Sequence, residues 1–335
     1  MNTKNSQPII RFLAIELCLG LFLNFSPVYA QTDQKIANYP NKPIKLIVGF
    51  APGGGSDSAA RLIAPKLGQV LGQAIVIENR PGAGGNLASE ALTKTEPDGY
   101  TIMLTTIGSM AINPHMPGGT SFNPLKDFGM ISQGVTFSNV LVVNANSPIN
   151  SLADFIALGK SKGAFVTFGS SGNGSTGHLA GELLKLRSGM NAEHINYKGG
   201  GPAMTDLLGG NITAIFASTP TAVPLIQGGK IKPLAVTGLK RSKTLPQVPT
   251  IAEQGYPGYQ AQNWYAFIAP LKTPPEIIKK LNQAIVATLK DQDTIDRLHN
   301  VDLEAAPSSP QELQSIVQSE YDLWGKLIKN IKFAE

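Results

Sequence analysis

Apolar and polar positions along this chain switch repeatedly between strand and helix periods. Residues 44–50 are an apolar run of strand length, and 57–71 set Leu62, Ile63, Leu67, Val70 and Leu71 along a helical stripe. Pro65 falls inside that stripe and predicts a kink or a split, because proline has no amide to donate. Residues 74–78 read as a strand, Pro81-Gly82-Ala83-Gly84-Gly85 as a loop before a helix reaching about Thr95, and 100–105 as the next strand after the Pro97-Asp98-Gly99 turn. A long strand is expected over 135–144 and a helix over 151–160 with Ser151 at its cap.

The pattern then restarts. Strands are expected at 165–169, 194–197, 212–216, 233–237 and 264–269, with helices at 178–187, 202–208, 222–227, 274–289 and 310–331. The last helix carries Leu313, Ile316, Val317, Tyr321, Trp324 and Leu327 on one face. Repeated strand–helix units predict an α/β fold of helix-covered parallel sheets, and the restart near residue 165 predicts two lobes of similar build.

The first 30 residues stand apart. Lys4 and Arg11 precede the apolar run 17–23, and Val28-Tyr29-Ala30 offers a small-residue cleavage site before Gln31, which predicts a secretory signal peptide cut after Ala30. The run is shorter than the roughly 20 residues of a spanning helix, so the mature protein is expected to be soluble and exported. Cys18, the only cysteine, lies in this segment, and the mature chain would have neither disulfide nor thiol nucleophile. Without disulfides an exported chain depends on its core, and 335 residues at 42% apolar content suffice for about two domains. Removing Lys4, Arg11 and Glu16 lowers the formal charge from +5 to +4, spread without a basic run, so no nucleic-acid partner is expected.

Two strand–glycine loop–helix corners carry the candidate chemistry: Phe50-Ala51-Pro52-Gly53-Gly54-Gly55-Ser56-Asp57, and 169–177 with Ser170, Ser171, Ser175 and Thr176. Glycines between a strand end and a helix start let several amides point at one anion, which the helix dipole also favours. Asp57 is placed to cap the first helix or orient a water, although an acidic cap occurs equally without any ligand. His178, in the first turn of its helix, is placed to hydrogen-bond a ligand or a neighbouring loop. Trp264 and Tyr265 fit a cleft lining or a core.

Two rival readings follow from the second corner. Gly172-Asn173-Gly174-Ser175-Thr176-Gly177 spells G-x-G-x-x-G, with Glu193 near the distance of a ribose carboxylate. Glu193 precedes a strand instead of ending one, however, and an exported protein meets little dinucleotide. An exported serine hydrolase using Ser171 and His178 is the other; against it, no G-x-S-x-G elbow is present. His115, His178, His194 and His299 form no metal spacing, and neither a metal nor a cofactor is expected.

Several blocks together resemble the tripartite tricarboxylate transporter receptor (Bug) family. They are Tyr39-Pro40-Asn41-Lys42-Pro43-Ile44, the first glycine loop with Asp57-Ser58-Ala59-Ala60-Arg61, and Glu78-Asn79-Arg80-Pro81-Gly82-Ala83-Gly84-Gly85. Further along come Pro97-Asp98-Gly99-Tyr100-Thr101, Asn113-Pro114, Tyr197-Lys198-Gly199-Gly200, Leu234-Ala235-Val236-Thr237 and Leu245-Pro246-Gln247-Val248-Pro249-Thr250. The likeness runs from about Tyr39 to Trp324.

The resemblance implies a type II periplasmic binding protein: two α/β lobes joined by two crossing strands, with a deep cleft between them. It places one lobe over 31–136 and 251–335 and the other over 137–250, with hinges near 133–140 and 250–264. It implies a non-enzymatic, monomeric receptor in the periplasm that captures a small carboxylate and delivers it to a membrane permease or sensor. The implied ligand contacts are Phe50, Gly54, Gly55, Ser56 and Asp57 on one lobe and Ser170, Ser171, Ser175, Thr176 and His178 on the other. Two departures stand out. Ala217 occupies a position where the family commonly has an acidic residue, which disfavours an amino ligand, and Pro65 interrupts a stretch the family keeps helical.

Overall fold

The computed structural model describes residues 38–329. Contacts divide the chain into a leading unit, Met1–Asn41, and a body, Lys42–Glu335. The expected signal peptide and the end of the last helix beyond residue 329 lie outside the described residues.

The body opens with three parallel strands. β1 (Ile44–Val48) pairs with β2 (Ile75–Asn79) on one side and β3 (Thr101–Thr106) on the other. Helix α1 (Gly55–Leu71) connects β1 to β2, and α2 (Asn86–Thr93) connects β2 to β3. Pro65 sits inside α1, which continues through it as one helix; the expected split does not occur. Pro65 faces solvent, where the missing amide bond is least disruptive.

β4 (Phe128–Asn144) organises the rest. Residues 128–138 pair antiparallel with β9 (Gln262–Pro270), which also pairs antiparallel with β3. From Asn139 onward β4 pairs instead with β7 (Ala214–Ser218) and, on its other edge, with β8 (Ile231–Val236). β7 continues in parallel to β5 (Thr167–Ser170), which pairs in parallel with β6 (Glu193–Asn196). The short β10 (Glu304–Ala305) lies against β4 at Val135 and Thr136. The sheets are therefore mixed, and the expectation of parallel sheets holds only for the strand–helix units at either end. Antiparallel pairing enters wherever β4 and β9 run back between the two sets.

Helices α3 (Leu152–Lys160), α4 (Thr176–Ser188), α5 (Gly200–Leu208) and α6 (Thr219–Gln227) flank β5–β8; α7 (Pro275–Leu289), α8 (Gln292–His299) and α9 (Pro310–Ile328) follow β9. Burial follows the strand period. On β4, Val140 and Val142 join one core with Ile215, Ala217 and Ala203, while Leu141 and Val143 join another with Phe168, Phe216 and Phe155. A third core packs Leu313, Val317, Trp324 and Ile328 of α9 against Met103, Ile107 and Ile268. Of the predicted α9 stripe, Leu327 is exposed and Ile328 takes the inward position.

Candidate functional site

The end of β1 leads through Gly53 and Gly54 into α1, whose N-cap residue, Gly54, offers no side chain to its free amides. α5 likewise begins after Gly199 without a side-chain cap, and α6 after Ser218 without one. α4 is capped by Ser175, whose hydroxyl accepts from the His178 amide. The first residues of all four helices converge on one cavity of about 30 Å³, room for about two water molecules. Gly54, Gly55, Ser56, Ser175, Thr176, Gly200 and Ser218 line it. No Lys, Arg, His, Asp or Glu is among the described residues that line it. Positive potential there comes from helix N-termini and neutral donors, the arrangement that suits a small anion.

Gly55 is fixed by crowding. A β-carbon there would overlap Ser218 Oγ and come 2.8 Å from the Tyr265 hydroxyl. Ser218 Oγ is shared with Thr221 Oγ1 at 2.9 Å, and burial pushes the Tyr265 phenol well up, so it stays a neutral donor. Across the cavity, the Asn263 amide donates to Thr176 Oγ1 and its carbonyl accepts from the Trp264 amide at 2.9 Å.

Of the sequence-predicted residues, Phe50, Gly54, Gly55, Ser56, Ser171, Ser175, Thr176 and Ala217 line the cavity, while Asp57, Ser170 and His178 do not. Asp57 is not the cap of α1 but a first-turn residue, with its carboxylate turned back. It accepts from the Gly53 amide (3.0 Å), Arg61 Nε (2.9 Å) and Asn79 Nδ2 (3.0 Å), and Asn79 in turn donates to the Phe50 carbonyl. Burial pushes this carboxyl up, but the bonds from Arg61, Gly53 and Asn79 together hold it below its ordinary value.

Ser170 is fully buried, its Oγ bonded to His194 Nε2 at 2.7 Å and tied to both ends of the Gly172 turn. His178 stacks on His194 with ring centroids 4.0 Å apart, and its Nδ1 accepts from the Gly174 amide. Burial lowers His178 to about 3 and His194 to about 4, with the neighbouring Lys185 acting in the same direction on both. The pair faces a separate groove of about 1070 Å³ with Glu182, Lys185 and Phe165. Among the described residues, no three potential ligands gather into a metal site.

Sequence reasoning missed Thr106, Asn139, Ser218 and Asn263 among the lining residues and left Tyr265 between a cleft lining and a core. Only Tyr265 left a signal: β9 alternates, so Trp264 enters a core while Tyr265 faces the cavity. The G-x-G-x-x-G turn is filled by protein, since a β-carbon at Gly174 would strike Asn113 Oδ1 and Gly172 lies beside Gly84. Glu193 begins β6, at the end away from the turn.

The model of the tripartite tricarboxylate transporter family receptor matches residues 59–333. This chain belongs to that family. It is 33% identical over 320 residues to protein BugT of Bordetella pertussis, covering 95% of this chain and 97% of that one. The periplasmic binding protein BugD superposes with a TM-score of 0.83 at 33% identity, covering 87% of this chain and 98% of BugD. An R. palustris protein, Rpa4515 with adipate, gives a TM-score of 0.84 at 36% identity over 87% and 98% of the two chains. The fold is thus the two-lobed α/β periplasmic binding protein fold, with β4 passing from one set of strands to the other. Members of this receptor family are substrate-binding proteins. No helix among the described residues is long and apolar enough to cross a membrane.

Proposed function

We propose that this protein is an exported receptor that captures a small carboxylate between its lobes and delivers it to a membrane permease of the tripartite type. The observation that carries this reading is the convergence of four helix N-termini on a cavity without charged side chains. Each carboxylate oxygen would take charge-assisted bonds from backbone amides and hydroxyls, which offsets the cost of its burial. Carboxylate binding by Rpa4515, the adipate-bound relative, supports the same chemistry.

The lobes of this reading are 31–136 with 251–335, and 137–250. The partner change of β4 between Ser138 and Asn139 supports the first boundary. A cavity of about 30 Å³ is too small for a dicarboxylate, so loading requires the lobes to part at hinges near 133–140 and 250–264. The mature chain, cut after Ala30, would act as a monomer in the periplasm and carry out no bond chemistry. Ser171 lines the cavity while His178 lines the neighbouring groove, which disfavours the hydrolase alternative.

A thermal-shift screen against mono-, di- and tricarboxylates tests the reading. A ligand that binds only the folded state raises Tm with concentration, as RT ln(1 + [L]/Kd) requires. No rise with any carboxylate at millimolar concentration overturns it.

A further inference from the structure

The cavity wall contains a donor with nothing to donate to. Among the described residues lining it, Asn139 alone has a buried side-chain nitrogen, Nδ2, without a hydrogen-bond partner. The residue is 2% exposed. Its neighbours are already committed: Ser218 Oγ to Thr221, Asn263 to Thr176 and Trp264, and Thr106 Oγ1 to the Ser109 amide. A buried amide left unpaired carries its full desolvation penalty, so such a group in a binding cleft points to a ligand atom.

Asn139 is also held in place. Its amide donates to Thr237 Oγ1 at 2.9 Å, and its carbonyl accepts from the Thr237 amide at 2.9 Å. It sits where β4 leaves β9 and takes up β7, directly opposite Ser218. The backbone cannot move to bury the side chain elsewhere without undoing the strand crossing. Its side chain is therefore carried from a fixed point on the cavity wall.

We infer that Asn139 is a specificity-determining residue that selects carboxylates whose far end presents an acceptor oxygen, a second carboxylate above all, and rejects those ending in an ammonium. This rests on the receptor reading above. If the helix N-termini hold one carboxylate, Asn139 Nδ2 supplies a donor for the other end. No Asp or Glu lines the cavity to pair with an ammonium, because Asp57 is turned back to Arg61 and Asn79. An amino acid would bury its cation with no carboxylate among the described lining residues to pair it, and an unpaired buried charge costs more than a lost bond.

Calorimetry with matched ligands tests this. The probes are the straight-chain dicarboxylates from malonate to adipate, each paired with the amino acid in which one terminal carboxylate is replaced by an ammonium. Wild type is expected to bind its best dicarboxylate at least 30-fold more tightly than the paired amino acid. Asn139→Leu, with the same branching but no polar atom, should lose about 10- to 100-fold for the dicarboxylate and so narrow its margin over the paired amino acid. Asn139→Asp should reverse the order of the pair. Ligand-free Tm for each variant separates lost binding from lost folding. Wild-type affinity for the dicarboxylate in both variants overturns the role of Asn139 and leaves the receptor reading standing. Failure of wild type to bind any of the dicarboxylates overturns the selectivity assigned to Asn139, and the receptor reading falls with it only if the wider carboxylate screen is also flat.

Discussion

In the proposed receptor Asp57 would serve the anion site without touching it. Its carboxylate holds the Gly53 amide and, through Asn79, the Phe50 carbonyl, so it fixes both ends of the loop that presents Gly54 and Gly55. Asp57→Ala removes these restraints and leaves the Gly53 amide and Arg61 Nε without their acceptor, a loss of about 1–3 kcal/mol in folding stability. Carboxylate affinity should fall at least tenfold because the loop amides lose their alignment. Urea unfolding and calorimetry measure the two effects, and unchanged affinity would remove Asp57 from the positioning role. At this scale the sequence exposed the glycines and hydroxyls of both loops because strand–glycine–helix corners are local. Asn139, Ser218 and Asn263 were illegible, because their approach to the cavity depends on pairing between residues as far apart as 139 and 218. Asp57, Ser170 and His178 lay in the right loops but face away, and loop sequence carries no information on which way a side chain turns.

The elements around the second loop bring in a titratable pair. His178 on α4 stacks on His194 of β6, and His194 bonds Ser170 of β5. His178 is buried and His194 half-buried, and desolvation lowers them to about 3 and about 4; Lys185 on α4, itself 2.9 Å from Glu182, adds repulsion to any charge gained there. In the unfolded chain these histidines titrate near 6.5, so below that value the unfolded state binds more protons than the folded one. Stability is therefore full above pH 7 and declines as pH falls from 6.5 toward 4, by about 2 kcal/mol for each ring at pH 5. Urea midpoints between pH 8 and 4 measure the decline, and His194→Gln should roughly halve it; a flat profile contradicts neutral burial of the pair. Most elements were legible from periodicity, including β1, α1 and α9. The first half of β4 was not, since Gly129, Ser132, Gln133 and Gly134 interrupt its apolar run and two register shifts break its alternation. α8 escaped notice because polar residues make up six of its eight positions, with only Ile295 and Leu298 between them.

Whole-molecule behaviour depends on backbone meeting backbone across the cleft. The Ala51 amide donates to the Lys198 carbonyl at 3.1 Å, Gly54 lies beside Gly200, and Gly108 lies beside the Gly174 carbonyl. The two glycine approaches depend on the absence of side chains, so in the proposed receptor these glycines would serve lobe closure as well as the anion. Gly174 tests this without altering the cavity wall, which it does not line. It adopts φ of 70°, and a β-carbon would meet Asn113 Oδ1, whose amide is anchored to Asn86 Oδ1 at 2.7 Å and cannot easily yield. That clash exists only while the two loops are in contact. Gly174→Ala should therefore penalise the closed form more than the open one, and if the receptor holds ligand only with the lobes together, as proposed, affinity should fall by whatever closure then costs. A differential penalty of about 1.4 kcal/mol corresponds to a tenfold weaker Kd. Small-angle scattering should show a larger radius of gyration at saturating wild-type ligand concentration, restored when excess ligand pulls the equilibrium back. A variant as compact and as tightly binding as wild type would show that the loop contact does not govern closure.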